Sequence, residues 1–201
     1  MKPRRVCALF FSPTGGTRHA ALLLAEELAA QFGVGWEEFR FTTPKERDAT
    51  PRFGQEDLVV AASPVYAGRL PNKLAPEFAE KLCGNHTPVV PLCVFGNRSP
   101  GNALREWLLL LEKGGFVPVG AASVACRHAF SDRIGAGRPD ETDREAMRTF
   151  SRSVAEKLEQ PALQPLRFDR ETPWLLIIRR LKQTGLRQNF LKAKPSSVGE
   201  L

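Results

Sequence analysis

The chain has 201 residues, 42% of them apolar, which suffices for one full α/β domain and an appendage around a single core. Its net charge of +7 is uneven: residues 1–160 carry 21 Lys and Arg against 19 Asp and Glu, whereas residues 161–201 carry 8 against 3. No apolar stretch is long enough to span a bilayer, the apolar run after Lys2, Arg4 and Arg5 stops at Phe11, too soon for a secretory signal, and the basic tail lacks the fold motif or aromatic interleaving of a nucleic-acid binder.

Val6 to Phe11 predicts a first strand. It runs directly into Ser12-Pro13-Thr14-Gly15-Gly16-Thr17 and then into a helix expected from Thr17 to Phe32, with Ala21, Leu24, Ala25 and Leu28 on one face and Gly33 as its stop. Strand, hydroxyl-rich turn and helix together make an anion cradle. The hydroxyls of Ser12, Thr14 and Thr17 are donors, the glycines let the backbone approach a ligand, and the helix adds its positive end. No Lys follows the last Gly and no third Gly stands at dinucleotide spacing, so neither a Walker loop nor a dinucleotide fingerprint is present.

Val34 to Phe41 reads as an edge strand, followed by a polar loop to Gly54; Asp57 to Ser63 reads as a strand buried on both faces, because its apolar run is continuous. Ser63-Pro64-Val65-Tyr66-Ala67-Gly68-Arg69-Leu70-Pro71 then forms a loop at the end of a strand where open α/β sheets bind ligands. Tyr66, the one tyrosine of the chain, is suited to stack on a planar ring, with Gly68 permitting close backbone approach. A helix from about Asn72 to Leu82, a strand from Pro88 to Phe95 and a third ligand-side loop, Gly96-Asn97-Arg98-Ser99-Pro100-Gly101-Asn102, follow. Asn102 is expected to cap a helix over Ala103 to Lys113.

Phe116 to Cys126 predicts the fifth strand, and Pro139 the first position of a helix reaching Glu159. His128, at the end of that strand, reads as a hydrogen-bonded structural residue, with no hydrolytic constellation around it. Cys7, Cys83, Cys93 and Cys126 lie far apart without a C-x-x-C pair, which fits buried thiols in a reducing cytoplasm and no metal or iron–sulfur cluster. In the tail, Trp174, Ile177, Ile178 and Leu181 share a helical face, so residues 172–192 offer either a membrane-surface or partner-docking element or a face packed back on the domain.

Ser-x-Thr-Gly-x-Thr at residues 12–17 resembles the phosphate loop of the flavodoxins. The whole order of elements resembles their α/β fold: a three-layer αβα sandwich around a five-stranded parallel sheet of order 2-1-3-4-5. More narrowly, Phe11-Ser12-Pro13-Thr14-Gly15, the loop 63–71, Phe95-Gly96-Asn97-Arg98 and Gly137-Arg138-Pro139-Asp140 are similar to the flavodoxin half of bacterial and archaeal proteins that fuse it to a two-cluster ferredoxin. The resemblance covers residues 4–160 and implies a flavin mononucleotide (FMN) domain over 1–160, with 161–201 as a basic linker, amphipathic helix and disordered tail. It implies that Ser12, Pro13, Thr14, Gly15, Gly16 and Thr17 hold the flavin phosphate, and that Pro64, Val65, Tyr66, Ala67, Gly68, Gly96, Asn97 and Arg98 surround the ring. Two departures stand out. Ser99-Pro100-Gly101 replaces the aromatic and acidic residues usual after Arg98, and the cluster cysteines are absent. The expected function is therefore cytoplasmic electron transfer to or from a separate reductase or iron–sulfur redox protein. The alternative is a flavin-free accessory module that binds and stabilises a partner enzyme.

Overall fold

A computed structural model describes residues 1–96, 98–160 and 166. Strand β1 (Arg5–Phe10) leads into helix α1 (Gly16–Phe32), then β2 (Gly35–Arg40), a short α2 (Pro44–Asp48), β3 (Asp57–Pro64), α3 (Ala75–Lys81), β4 (Thr87–Phe95), α4 (Ala103–Lys113), β5 (Phe116–Pro118), β6 (Ala122–Ala125) and α5 (Glu141–Glu159). Every pairing in the sheet is parallel and the order is β2-β1-β3-β4-β5, with β6 alongside β4 beyond β5.

Alternation along the buried strands sorts the core into two faces. Val6, Ala8 and Phe10 of β1, with Leu58, Val60 and Ala62 of β3, meet α1 and α5; Cys7 and Leu9, with Val59 and Ala61, meet α3 and α4. On the second face Trp107 is buried against Phe78, their rings 4.8 Å apart, and its Nε1–H donates to the Ala61 carbonyl at 2.6 Å. Leu166 also packs on this face, and its N–H donates to the Pro118 carbonyl at 2.8 Å, so the chain after α5 touches the domain again at the β5 edge.

Several boundaries differ from the sequence reading. The fifth strand is split at Val119–Ala121, where its register on β4 slips by one residue, from Val89↔Pro118 to Leu92↔Ala122; Gly120 in this bulge lies under α5, and a Cβ there would stand 2.9 Å from the Phe150 ring and 3.0 Å from Val154 Cγ2. The stretch read as loop before Gly54 contains α2, whose Thr43 and Glu46 form a reciprocal capping box. Pro139 does not open the last helix. Asp140 caps it, accepting from the Asp143 N–H at 3.0 Å, and the helix begins at Glu141. Helix α3 starts at Ala75 rather than Asn72; residues 72–74 form a turn ahead of it, with the Leu74 and Ala75 N–H groups donating to the Pro71 carbonyl at 2.9 and 3.0 Å. Asn102 does occupy the N-cap of α4, but its side chain makes no cap hydrogen bond.

No helix among the described residues is long and apolar enough to cross a membrane, and no group of His, Cys, Asp and Glu among them is placed to hold a metal ion. The stretch 172–192 lies outside the described residues.

Candidate functional site

Because the strands are parallel, the loops after β1, β3, β4 and β6 all emerge at one edge of the sheet. Strand order reverses between β1 and β3, so the loop after β1 stands at the switch point. Its backbone is tied down from below: the Phe11 N–H donates to the Ala62 carbonyl at 3.2 Å and the Ser12 N–H to Thr42 Oγ1 at 3.0 Å. Ser12 Oγ accepts the Arg18 N–H at 2.9 Å, spanning the turn and capping the start of α1. Gly15 takes the N-cap position at φ 86°, a left-handed conformation that only glycine adopts without strain. Pro13, Thr14 and Gly15 are exposed, Gly16 is half-buried and Thr17 is buried, so Thr14 presents its hydroxyl to solvent far more than Thr17.

Pro13 and Thr14 form a turn that draws the Gly15 N–H back toward Ser12, whereas the N–H groups of Thr14, Gly16 and Thr17 have no intrachain acceptor among the described residues. They lie in the turn before, and the first positions of, a 17-residue helix, at its positive end. Arg18 is turned away, its Nη2 held 2.7 Å from Glu38 Oε2; that guanidinium keeps the Glu38 carboxyl below the usual carboxylate range. The cradle is therefore one of neutral donors, as its sequence implies. Beneath it, Cys126 at the end of β6 sits with Sγ 3.8 Å from the Gly16 carbonyl, and burial pushes its thiol up to about 12, so it stays protonated and inert. All four cysteines are free.

The second loop is a tight hairpin. Tyr66 and Arg69 exchange both backbone hydrogen bonds, at 2.9 and 3.0 Å, around Ala67 at φ 51° and Gly68 at φ 78°. Positive φ at both central positions is the primed-turn geometry, and Ala67 carries strain in it. The turn holds Tyr66 up at the edge with 48% of its surface exposed, and partial burial of the rest raises its hydroxyl above the usual phenol range. Gly68 was expected to admit a ligand; its observed neighbour is the third loop. The Asn102 N–H donates to the Gly68 carbonyl at 2.8 Å, and a Cβ at Gly101 would stand 2.5 Å from that oxygen and 2.6 Å from Gly68 Cα. Glu106 of α4 completes the clamp, pairing with Arg69 and accepting the Leu70 N–H at 3.0 Å.

Of the remaining predicted residues, Pro64 and Val65 are half-buried where β3 ends, the Val65 N–H donating to the Val94 carbonyl at 2.8 Å. Gly96 is half-buried after β4 and Arg98 is exposed; Asn97 lies outside the described residues. Gly96 is packed against His128: a Cβ there would collide with the imidazole Cδ2 and stand 3.0 Å from its Cγ. His128 is held locally, its N–H donating to the Ile134 carbonyl at 2.9 Å and its Nδ1 accepting the Phe130 N–H at 3.2 Å, in keeping with a structural role. Sequence reasoning placed Gly101 on the third loop but missed its contact with Gly68, and it missed Thr42 and the loop after β6 as parts of this edge. Only Thr42, adjoining the Thr43-x-x-Glu46 capping signature, had a local signal.

No protein-family model matches the sequence, and no curated protein is detectably similar to it. Solved structures do align. A Streptococcus pneumoniae TIGR4 flavodoxin superposes with a TM-score of 0.52 at 17% identity, covering 76% of this chain and 98% of that one. The fold is flavodoxin-like. A flavodoxin from the domain Archaea aligns over 78% of this chain and 99% of its own, with a TM-score of 0.51 at 11% identity. The flavodiiron core of a Synechocystis sp. PCC6803 protein has a TM-score of 0.52 at 13% identity; there the flavodoxin-like chain spans 36% of the larger protein and that protein 78% of this one.

Proposed function

We propose that this flavodoxin-like chain binds FMN at the carboxyl edge of its sheet and passes electrons between that flavin and a separate reductase or iron–sulfur redox protein. The observation that carries this reading is the set of three unpartnered N–H groups at Thr14, Gly16 and Thr17, preorganised at the start of α1 by the Ser12–Arg18 bond. A dianionic phosphate fits such a donor set without any cationic side chain. Thr14, exposed on the turn, adds a hydroxyl donor, and Thr17 is assigned the same role from within the helix.

When bound, the flavin supplies the capacity to take up and release one or two electrons. The chain orients it: Ser12 to Thr17 fix the phosphate, while Pro64 to Gly68 and Gly96 to Arg98 edge the ring. Tyr66, neutral and standing clear of the domain, is suited to cover one face. The clamp between Gly68 and Gly101 holds the two ring loops at a fixed separation. With four free thiols, the chain is suited to a reducing compartment such as the cytoplasm.

Titration with FMN and with riboflavin tests the phosphate assignment. Hydrogen bonds to a charged group contribute about 1.5–3 kcal/mol each, so two or more predict a preference for FMN on the order of 100-fold or more. Equal dissociation constants would remove the phosphate role of residues 12–17.

A further inference from the structure

The loop after β6, residues 127–137, was given no part in ligand binding, yet it leaves the sheet directly beside the third loop. The Cys126 N–H donates to the Phe95 carbonyl at 2.9 Å, and His128 fills the space that a side chain at Gly96 would need. The loop is built to hold one shape here. His128 bonds to Ile134 and Phe130, and Gly135, at φ 67°, is pressed so closely against Cys126 and Arg127 that a Cβ would stand 2.6 Å from the Cys126 carbonyl oxygen.

From this braced loop Phe130 projects with 94% of its surface exposed, its ring centroid 5.9 Å from that of His128. A phenylalanine left in water forgoes most of the stabilisation its burial would give. Here it stands on the loop whose His128 packs against Gly96, in a chain whose third loop brings no aromatic. Ser99-Pro100-Gly101 has none, and Gly101 is committed to its contact with Gly68.

We infer that Phe130 is the second cover of the bound ring: the flavin lies between Tyr66 and Phe130, and the loop after β6 replaces the aromatic missing after Arg98. This rests on the FMN reading above. It assigns Gly96 a reason as well, since His128 carries the loop and needs that position free of a side chain.

Titration of the full chain with FMN and with riboflavin, wild type against Phe130→Ala and Phe130→Trp, tests the assignment. Loss of one stacking partner predicts weaker binding of both ligands, by about tenfold and to a similar extent, because the ring and not the phosphate is affected. Phe130→Trp should restore affinity and quench the bound flavin's fluorescence further. Thermal melts of the flavin-free variants should match wild type, the side chain being exposed. Tight wild-type binding with unchanged affinities in Phe130→Ala would overturn the assignment and leave FMN binding standing. A wild type that binds neither ligand would overturn both readings together.

Discussion

Gly101→Ala is expected to weaken FMN binding by roughly tenfold to a hundredfold while leaving the far-ultraviolet circular dichroism of the domain intact. Gly101 sits at φ 53°, where a non-glycine residue costs about 1–2 kcal/mol, and the added methyl meets backbone, the Gly68 carbonyl oxygen at 2.5 Å and Cα at 2.6 Å. Backbone cannot rotate aside as a flexible side chain would. The strain is relieved only by parting the second and third loops, which breaks the Asn102 N–H bond to Gly68 and moves Tyr66 away from the ring site. Each 1.4 kcal/mol so lost is about tenfold in affinity. Because the phosphate turn lies on another strand, the preference for FMN over riboflavin should survive even as both bind more weakly. Unchanged affinity would show that the Gly68–Gly101 contact does not position the ring loops.

Trp107→Ala acts on the scaffold beneath those loops and should cost about 3–5 kcal/mol of stability. Trp107 is 1% exposed, packs on Phe78 of α3 and sends its indole N–H into the sheet at Ala61. Its removal opens a cavity and leaves a buried carbonyl without that donor, two of the mechanisms behind large destabilisation. Trp107→Phe divides the effect: it keeps a six-membered ring in the site but loses the indole N–H and the volume of the pyrrole ring, predicting a smaller drop of about 1–3 kcal/mol. A chemical-denaturation series of the three proteins reads this directly. Equal stability of wild type and Trp107→Phe would mean that the Ala61 bond contributes nothing.

The fold was legible where its signal is local. The continuous apolar run at 58–62 announced a strand covered on both faces, and the hydroxyl-rich stretch at 12–17 announced the turn between β1 and α1, because its geometry is set by neighbours in sequence. What escaped was set by contacts distant in sequence. At the break in the fifth strand Gly120 lies against Phe150 and Val154, some thirty residues away. Gly68 was read as room for a ligand, but its partner is Gly101. Phe130 looked like any loop aromatic until the topology set its loop beside Gly96. Pro139 is a different case: it was read as the first helical position, and the Asp140 carboxylate, which accepts the Asp143 N–H, took the cap instead.

The measurement that bears most directly on the central claim is the absorbance spectrum of the purified protein after incubation with excess FMN and desalting, followed by anaerobic reduction and reoxidation. Near-stoichiometric flavin that survives desalting and cycles between oxidised and reduced forms is the predicted result, and it moves the question to which redox protein docks at the edge formed by Tyr66, Gly96 and Phe130. A colourless protein after desalting would contradict the account and favour a flavin-free module that keeps the flavodoxin-like fold to bind a partner enzyme.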